Sequence, residues 1–187
     1  MDDIKTIETP IDDNIIKDLR VGDRVLLSGT IYTARDKAHM RLVAMIEEGQ
    51  PLPFSLEGQI IYYVGPTPNP PGMPIGAAGP TTSSRLDPYT PILLSNGLKG
   101  MIGKGKRRKE VVEAIKKYKA VYFVTLGGAG ALLSQYVLRS RILAFPEYAT
   151  EAIYELEVED FPMFVANDIY GDDLYESRYK IYQVMSS

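Results

Sequence analysis

Residues 76–87 read GAAGPTTSSRLD, and this stretch guides the interpretation of the whole chain. Four hydroxyl side chains occupy positions 81–84, directly after a Gly-Pro turn and directly before Arg85. Such hydroxyls favour the start of a helix, because they accept hydrogen bonds from the free N–H groups of its first turn. A helix start beside a forked arginine cation favours a bound carboxylate or phosphate. The stretch has two interpretations, an anion-binding cradle and a capped helix with a surface arginine, and the local sequence alone favours the second.

The composition is that of an ordinary globular protein, with 45% hydrophobic and 24% charged residues, and the length fits one domain over residues 1–187. The net charge of −3 argues against nucleic-acid binding, because no general positive field would attract a phosphate backbone. No apolar run approaches the roughly 20 residues that cross a bilayer, and the acidic first residues are unlike a signal peptide. We therefore expect a soluble, cytoplasmic protein with no nucleic-acid or membrane partner.

The chain has no cysteine and a single histidine. Iron–sulfur clusters are held by cysteine thiolates, and zinc or haem sites depend on cysteine and histidine ligands. The sequence therefore predicts no metal site in this chain alone.

Apolar runs typical of strands alternate with helical patterns, which predicts an α/β fold. Strands are expected at residues 25–33, 60–64, 100–103, 120–126, 137–145, 152–158 and 162–166, with a loose arm or edge strand at 1–10. Helices are expected at residues 11–19, from Asp36 to the stop at Gly49, at 110–118 and through 132–136. A further helix is expected at 86–94, where Pro88 and Pro91 should make it short or irregular. Residues 65–80 are rich in Gly and Pro, which predicts a long ordered loop, and such loops are often functional.

Charged residues lie where several of these strands end, and in α/β folds ligands gather at the carboxyl ends of strands. Lys104 directly follows a predicted strand and lies between two glycines. Arg35 and Asp36 lie at a strand-to-helix junction, where the carboxylate can cap the helix. His39 is one helical turn further on and is interpreted as a hydrogen-bonding residue rather than a catalyst. The basic residues 106–109 predict a solvated surface.

A glycine-rich segment, GGAG at residues 127–130, joins a predicted strand to a helix, as phosphate-binding loops do. The segment lacks the spacing of G-x-G-x-x-G and the Lys-Ser/Thr pair of a P-loop. Glycines at such a junction also let two backbones pack closely. Close packing is therefore the favoured interpretation, and phosphate binding is the alternative.

Five motifs resemble those of one enzyme family, in the family's order and spacing. They are TARDKAH at 33–39, YYVGP at 62–66, GPTTSSRLD at 79–87, MIGKGKR at 101–107 and EVEDFP at 157–162. The family is the β subunit, or C-terminal region, of the class I iron–sulfur fumarases and the related L-tartrate dehydratases. The resemblance covers nearly the whole chain.

The resemblance implies a swivelling β/β/α domain, in which helices flank a mixed sheet. It also implies a hydro-lyase that acts on a dicarboxylate beside a [4Fe–4S] cluster. In that family the cluster cysteines belong to the α part, which agrees with the absence of cysteine here. The chain is thus expected to be the β subunit of a fumarate hydratase that is active only with a cysteine-bearing α subunit. A homodimer of this chain is a further expectation.

Two other interpretations stay open. A tartrate dehydratase β subunit would use the same chemistry on a substrate with one more hydroxyl. A protein of another class, a non-catalytic anion- or nucleotide-binding module, would use residues 81–85 and 127–130 for binding only.

The resemblance also implies roles for four positions. Arg35, Arg85 and Lys104 resemble the residues that hold the substrate carboxylates, and Thr81 resembles the proposed catalytic base. Fixed cations suit a substrate with two carboxylates, and they would stabilise the charge that develops when a proton next to a carboxylate is removed. A threonine hydroxyl is a weak base in water, so it would need those cations to become more reactive.

Overall fold

The computed structural model describes residues 4–176, which form one mixed sheet flanked by helices. The strands are β1 (Lys5–Glu8), β2 (Arg24–Thr33), β3 (Ile60–Tyr62), β4 (Gly100–Gly103), β5 (Val121–Val124), β6 (Val137–Ala144) and β7 (Ile153–Asn167). Strands β1 to β5 pair in parallel, and β7 pairs antiparallel with β2, β5 and β6. Because β7 contacts both β2 and β5, the sheet closes into a five-stranded barrel, to which β1 and β6 are added. The predicted α/β class, with a mixed sheet and flanking helices, is confirmed.

Short helices connect the strands. The α-helices between residues 4 and 176 are α1 (Asp13–Ile16), α2 (Asp36–Glu47), α3 (Thr90–Ser95), α4 (Lys109–Tyr118) and α5 (Gly130–Leu133). The helix predicted from residue 86 begins only at Thr90, because Pro91 lies in its first turn. Proline suits that position, since the first turn leaves its N–H groups unused. No helix in the described part of the chain combines the length and apolarity needed to cross a bilayer.

Strand β7 corrects the prediction of two separate strands at 152–158 and 162–166. It is one strand of 15 residues that first pairs with β6 and then with β5, while β2 lies along its other side. The irregularity lies at Asp160, whose φ of 50° is left-handed, opposite a register shift between Leu27 and Gly29. The sequence indicates a strand break here, because Pro162 has no N–H to donate to the hydrogen bonds of a sheet. In the structure the strand bends at this point and its pairing with β2 continues.

The apolar side chains divide into two clusters, one on each face of the closed sheet. Ile60 and Tyr62 of β3 belong to the cluster enclosed by the barrel, whereas Ile61 and Tyr63 belong to the outer one. The outer cluster is completed by buried residues of α2, α3 and α4, among them Leu42. Alternate residues of a strand point to opposite faces, so a strand buried on both faces reads as a continuous apolar run.

The edge strand predicted within residues 1–10 is confirmed for Lys5–Glu8, which pairs with β2 at the end of the sheet. Residues 1–3 of the predicted arm lie outside the described residues. The assignment of all 187 residues to one domain stays a prediction.

Candidate functional site

Strands β2, β3, β4 and β5 are parallel neighbours, so their carboxyl ends meet at one end of the barrel, which we call the carboxyl edge. Strand β2 leads to Arg35, β3 to Tyr63 and Gly65, β4 to Lys104, and β5 to the loop that contains Gly127. Two of the predicted site residues, Arg35 and Lys104, are therefore brought to the same edge by strand order alone.

Residues 81–85 cross the carboxyl edge as a backbone segment held by hydrogen bonds. The Thr81 N–H donates to the Tyr63 carbonyl at 2.8 Å, and the Ser83 N–H donates to the Lys104 carbonyl at 3.0 Å. In return, the Lys104 N–H donates to the Ser83 hydroxyl at 3.1 Å. Thr81 is therefore fixed at the end of β3, and Lys104 is fixed beside the turn that carries Arg85.

The helix start predicted at residues 81–84 is wrong. The chain forms only a 3₁₀ turn at Ser83–Arg85, and Thr82 before it makes no side-chain cap hydrogen bond. A helix start would leave its first N–H groups free, whereas those of Thr81 and Ser83 donate to the ends of β3 and β4. An anion at this edge would therefore meet side chains rather than a helix N-terminus.

Arg35 and Arg85 lie on the two sides of one carboxylate, that of Asp36. Arg85 Nε donates to Asp36 Oδ1 at 3.1 Å, and Arg35 Nη2 lies 3.7 Å from Asp36 Oδ2. The predicted helix cap by the Asp36 carboxylate is wrong, because Arg35 occupies the N-cap position and no side chain caps α2. Asp36 is the first residue of α2, where the helix dipole favours a negative charge. Asp36 thus brings together Arg35 and Arg85, two predicted carboxylate-binding residues from distant parts of the chain.

Several polar groups at the carboxyl edge have no partner among residues 4–176. Arg35 Nε is buried and makes no hydrogen bond there. No residue in the described part of the chain hydrogen-bonds to the exposed Lys104 ammonium or to the hydroxyl of the half-buried Thr81. The Arg85 side chain contacts Asp36 through Nε and is 54% exposed. Buried donors in proteins are normally hydrogen-bonded, so Arg35 Nε can take a partner that residues 4–176 do not supply, whereas water can satisfy the exposed groups.

The four predicted site residues therefore lie at one edge of the barrel, and their roles toward a substrate stay predictions. An edge with three cations and a hydroxyl can bind an anion with two negative groups and can stabilise negative charge that develops on it.

Gly65 gives Arg35 the room to lie across the end of β3. A Cβ at this position would be 2.8 Å from Arg35 Cδ, 2.9 Å from the Thr150 carbonyl and 3.1 Å from Arg35 Nη1. Separations below about 3 Å are repulsive, so a side chain here and the present position of the arginine are incompatible. The glycine of the YYVGP motif is thus explained by packing against a candidate binding residue.

We expect Gly65→Ala to lower kcat/KM by roughly 10- to 100-fold, because a displacement of Arg35 by about 1 Å misplaces a binding group. Overpacking against the Thr150 carbonyl should cost about 1–3 kcal/mol of stability as well. Steady-state kinetics and urea denaturation measure the two effects. The control is Gly127→Ala, whose Cβ would make an ordinary contact at 3.6 Å from Lys104 Cδ. Equal kinetics of Gly65→Ala and the parent would show that the position of Arg35 does not matter for the reaction.

Beneath the edge lies an ion pair that the sequence did not reveal. Residues 106–109 were predicted to lie on the surface, and this is wrong for Arg107, whose side chain is fully buried. Arg107 Nε donates to Asp87 Oδ1 at 2.7 Å, and its Nη2 donates to the Thr90 hydroxyl at 2.8 Å. The guanidinium also lies 4.8 Å from the ring centre of Tyr122. Its partner Asp87 is 20 positions earlier, so no local signal in the basic run marks it.

This pair joins the two segments that carry Arg85 and Lys104. Asp87 follows the 3₁₀ turn, and its second oxygen accepts the Arg108 N–H at 2.9 Å. A second link runs through the buried Tyr122 hydroxyl, which hydrogen-bonds to Ser83 Oγ at 2.8 Å and to the Gly105 carbonyl at 2.9 Å. Burial raises the pKa of Tyr122, so its hydroxyl stays protonated and can serve as a fixed hydrogen-bond donor.

His39 lies under the carboxyl edge and is fully buried. Its Nδ1 contacts the Arg35 carbonyl at 3.0 Å, so the ring helps to hold the start of α2. Its Nε2 has no partner within the described residues. Burial lowers the pKa of His39 to about 4, which keeps the ring neutral near pH 7. The prediction of a hydrogen-bonding role is confirmed for Nδ1.

The glycine-rich segment at 127–130 packs closely against another backbone, but the predicted partner, the strand and helix of its own junction, is wrong for Gly130. The Ala78 N–H donates to the Gly130 carbonyl at 3.0 Å, and a Cβ on Gly130 would lie 2.8 Å from Gly79 N. The neighbour is the long loop at 65–80 rather than the strand before the segment. Phosphate binding at 127–130 stays a hypothesis.

The residues of this chain do not fit an iron–sulfur cluster. The sequence contains no cysteine, and no three acidic or histidine side chains between residues 4 and 176 are grouped so that they could hold a metal ion. The cations at the carboxyl edge suit anions instead.

A closed mixed sheet with flanking helices, and with cations and a hydroxyl at its carboxyl edge, defines an α/β barrel domain. The chain belongs to the Fumarase C-terminus family, whose model matches residues 3–178.

Individual relatives agree with this family. Over 157 residues the chain is 41% identical to "Fumarate hydratase 2" of Leishmania major, and this alignment covers 83% of this chain and 28% of the relative. It is 40% identical over 158 residues to "Fumarate hydratase class I, anaerobic" of Escherichia coli, with 83% and 29% covered. It is 36% identical over 178 residues to "Putative L(+)-tartrate dehydratase subunit beta" of Methanocaldococcus jannaschii, with 91% of both chains covered. The chain thus spans less than a third of these two fumarate hydratases but most of the third relative.

Proposed function

We propose that this chain is the β-type part of a fumarate hydratase, which adds water to fumarate to give L-malate and catalyses the reverse reaction. The observation that carries the proposal is the placement of three cations and a hydroxyl at one edge of the barrel, where Arg35 Nε is buried without a hydrogen-bond partner among residues 4–176. The family shared with proteins named fumarate hydratase supports a dicarboxylate as the ligand of that edge.

The cations would bind the substrate and stabilise the transition state. In the direction from malate, a proton leaves the carbon next to a carboxylate and hydroxide leaves the neighbouring carbon. Negative charge then develops on that carboxylate, and cations that are already in place stabilise it without reorganisation. We assign this role to Arg35, Arg85 and Lys104 together. A forked guanidinium additionally orients the carboxylate through paired hydrogen bonds.

Thr81 is our candidate for the proton-transfer group. Its backbone is fixed to Tyr63, its side chain is half-buried, and its hydroxyl has no partner in the described part of the chain. To act as a base, this hydroxyl would first lose its own proton to solvent, and the neighbouring cations would stabilise the alkoxide that results. The alkoxide could then accept the proton from the substrate carbon and become the neutral hydroxyl again. The chemistry at the departing hydroxyl is not assigned to any residue of this chain.

We further propose that the active enzyme contains a cysteine-bearing α subunit that holds a [4Fe–4S] cluster. The support is the name "subunit beta" of the Methanocaldococcus jannaschii relative, which matches this chain over 91% of its own length. The absence of cysteine in this chain is consistent with a cluster held elsewhere. The roles proposed for Arg35, Thr81, Arg85 and Lys104 do not depend on it.

The same relative favours a second candidate, an L(+)-tartrate dehydratase subunit. Tartrate has the two carboxylates of malate and one more hydroxyl, so the same cations would bind it.

The test is to co-express the chain with a cysteine-bearing α subunit from the same organism and to purify both without oxygen. The complex and the isolated chain are then assayed with fumarate, malate and both tartrates. We expect turnover by the complex only, and the preferred substrate distinguishes the two candidates. Dicarboxylate or nucleotide binding without turnover would favour the non-catalytic module. Full turnover by the isolated chain without iron would overturn the two-subunit proposal.

Arg85→Lys should lower kcat/KM of the complex by roughly 10- to 100-fold, because a charge-assisted hydrogen bond contributes about 1.5–3 kcal/mol. Lysine keeps the charge but loses the planar fork that binds both carboxylate oxygens. The measurement is steady-state kinetics with malate and fumarate. Arg24→Lys, an exposed change at the opposite end of β2, is the matched control. Parent kinetics for Arg85→Lys would remove this residue from the site.

A further inference from the structure

Among residues 4–176, Asp36 forms ion pairs with both candidate binding arginines. We propose that Asp36 is a positioning residue, which fixes the Arg85 guanidinium so that its two terminal nitrogens face the substrate carboxylate. This proposal rests on the proposed function and gives it a residue that no comparison assigns.

The geometry at Arg85 shows which edge of the guanidinium is in use. A guanidinium carries five N–H donors, one on Nε and two on each terminal nitrogen. Asp36 Oδ1 accepts from Nε at 3.1 Å, and no other residue between 4 and 176 hydrogen-bonds to this guanidinium. The end with the two Nη groups therefore remains available for a forked contact with a carboxylate.

Arg85 needs such a hold because its surroundings supply little else. It ends a 3₁₀ turn of three residues, and 54% of its side chain is exposed. A long side chain in that setting samples many rotamers, and fixing it at the moment of binding costs entropy. A carboxylate that already holds Nε reduces this cost before the substrate arrives.

Asp36, in contrast, is well fixed. It begins the 12-residue helix α2, and the preceding Arg35 carbonyl accepts from the His39 N–H at 2.8 Å. The His39 ring contacts the same carbonyl at 3.0 Å. Asp36 Oδ2 is buried and makes no hydrogen bond within the described residues, and its nearest cation is Arg35 Nη2 at 3.7 Å. The carboxylate is thus a rigid reference point that also reduces the repulsion between the two guanidinium groups.

A positioning role and simple charge attraction predict opposite effects when Asp36 is removed, and this difference makes the role testable. Removing a negative charge from a cationic site should by itself strengthen the binding of an anionic substrate. If Asp36 instead orients Arg85, its removal should lower kcat even where substrate binding is no weaker.

The experiment is a double-mutant cycle in the two-subunit complex, with Asp36→Ala, Arg85→Lys and the double variant. We expect Asp36→Ala to lower kcat/KM about tenfold in the parent, mainly through kcat, and less than about twofold in the Arg85→Lys background. Glu151→Ala is the control, because Glu151 Oε2 accepts the Lys37 N–H at the same helix end and forms no ion pair with either arginine among the described residues. It should change stability without coupling to Arg85.

A second measurement uses the full chain alone and does not depend on turnover. In ¹⁵N-labelled protein the Arg85 Nε–H signal, identified by its absence in Arg85→Lys, should exchange with water several-fold faster in Asp36→Ala than in the parent. Equal exchange, or an Asp36→Ala complex with parent or higher kcat/KM, would overturn the positioning role. If the parent complex shows no hydro-lyase activity, the proposed function fails, and the exchange rates still decide whether Asp36 fixes Arg85.

Discussion

Thr81→Ala should lower kcat of the two-subunit complex by about 10²- to 10⁴-fold and leave KM nearly unchanged, since a proton-transfer group acts mainly in the transition state. The change removes a half-buried hydroxyl that has no protein partner among residues 4–176, so the fold should be preserved. The measurement is steady-state kinetics with malate, together with thermal denaturation of each variant.

Thr82→Ala is the matched control for this prediction. Thr82 is the exposed neighbour, and its side chain makes no cap hydrogen bond at the turn. Its loss should change kcat by less than about twofold, as is typical of surface substitutions. Thr81→Ser, which keeps a hydroxyl, should retain more activity than Thr81→Ala. Parent kcat in Thr81→Ala would mean that another residue transfers the proton.

Arg107→Met should destabilise the folded chain by about 3–5 kcal/mol, because it leaves the Asp87 carboxylate buried without its cation. Both side chains of this pair are almost completely buried, at 0% and 2% exposure. For a chain of this size the loss corresponds to a decrease in Tm of roughly 6–20 °C. Urea denaturation and calorimetry of the isolated chain measure it.

Two variants test the cause of that destabilisation. Arg107→Met combined with Asp87→Asn should recover much of the stability, because the buried charge is removed while the acceptor for the Arg108 N–H remains. Arg108→Met should have little effect on stability, because the Arg108 side chain is 65% exposed and its Nε is as far as 4.0 Å from Asp87 Oδ2. A single Arg107→Met variant as stable as the parent would show that the pair does not hold the two segments together.

The sequence by itself determined most of the elements and two of the four positions at the carboxyl edge. Strands β2, β3, β4 and β5 are short apolar runs with turn residues at their ends, and such local signals do not need a tertiary partner. Arg35 and Lys104 follow two of these strands directly, so parallel pairing alone brings them to one edge. The five motifs added the family, which the match over residues 3–178 confirms.

Only the tertiary structure decided how the remaining groups are held. The hydroxyl run at 81–84 has the local signature of a helix start, but its N–H groups donate to Tyr63 and Lys104 instead. Arg107 belongs to a basic run typical of a surface, yet Asp87 and Thr90 bind it in the core. In each case a distant partner supplies hydrogen bonds that outweigh a local preference of about 1 kcal/mol or less per residue.

Asp36 shows the same division. From sequence it is a helix cap next to an arginine, and local chemistry explains it fully in that role. The fold instead places Asp36 in the first position of α2 without a cap hydrogen bond and adds Arg85 from the other side of the carboxyl edge at 3.1 Å. The carboxylate thereby lies between two candidate binding residues. Sequence periodicity determines which residues end a strand or begin a helix, because those preferences act within a few residues. Which side chain faces Asp36 across the carboxyl edge depends on how the barrel closes. That closure is set by pairings between strands that are far apart in the chain.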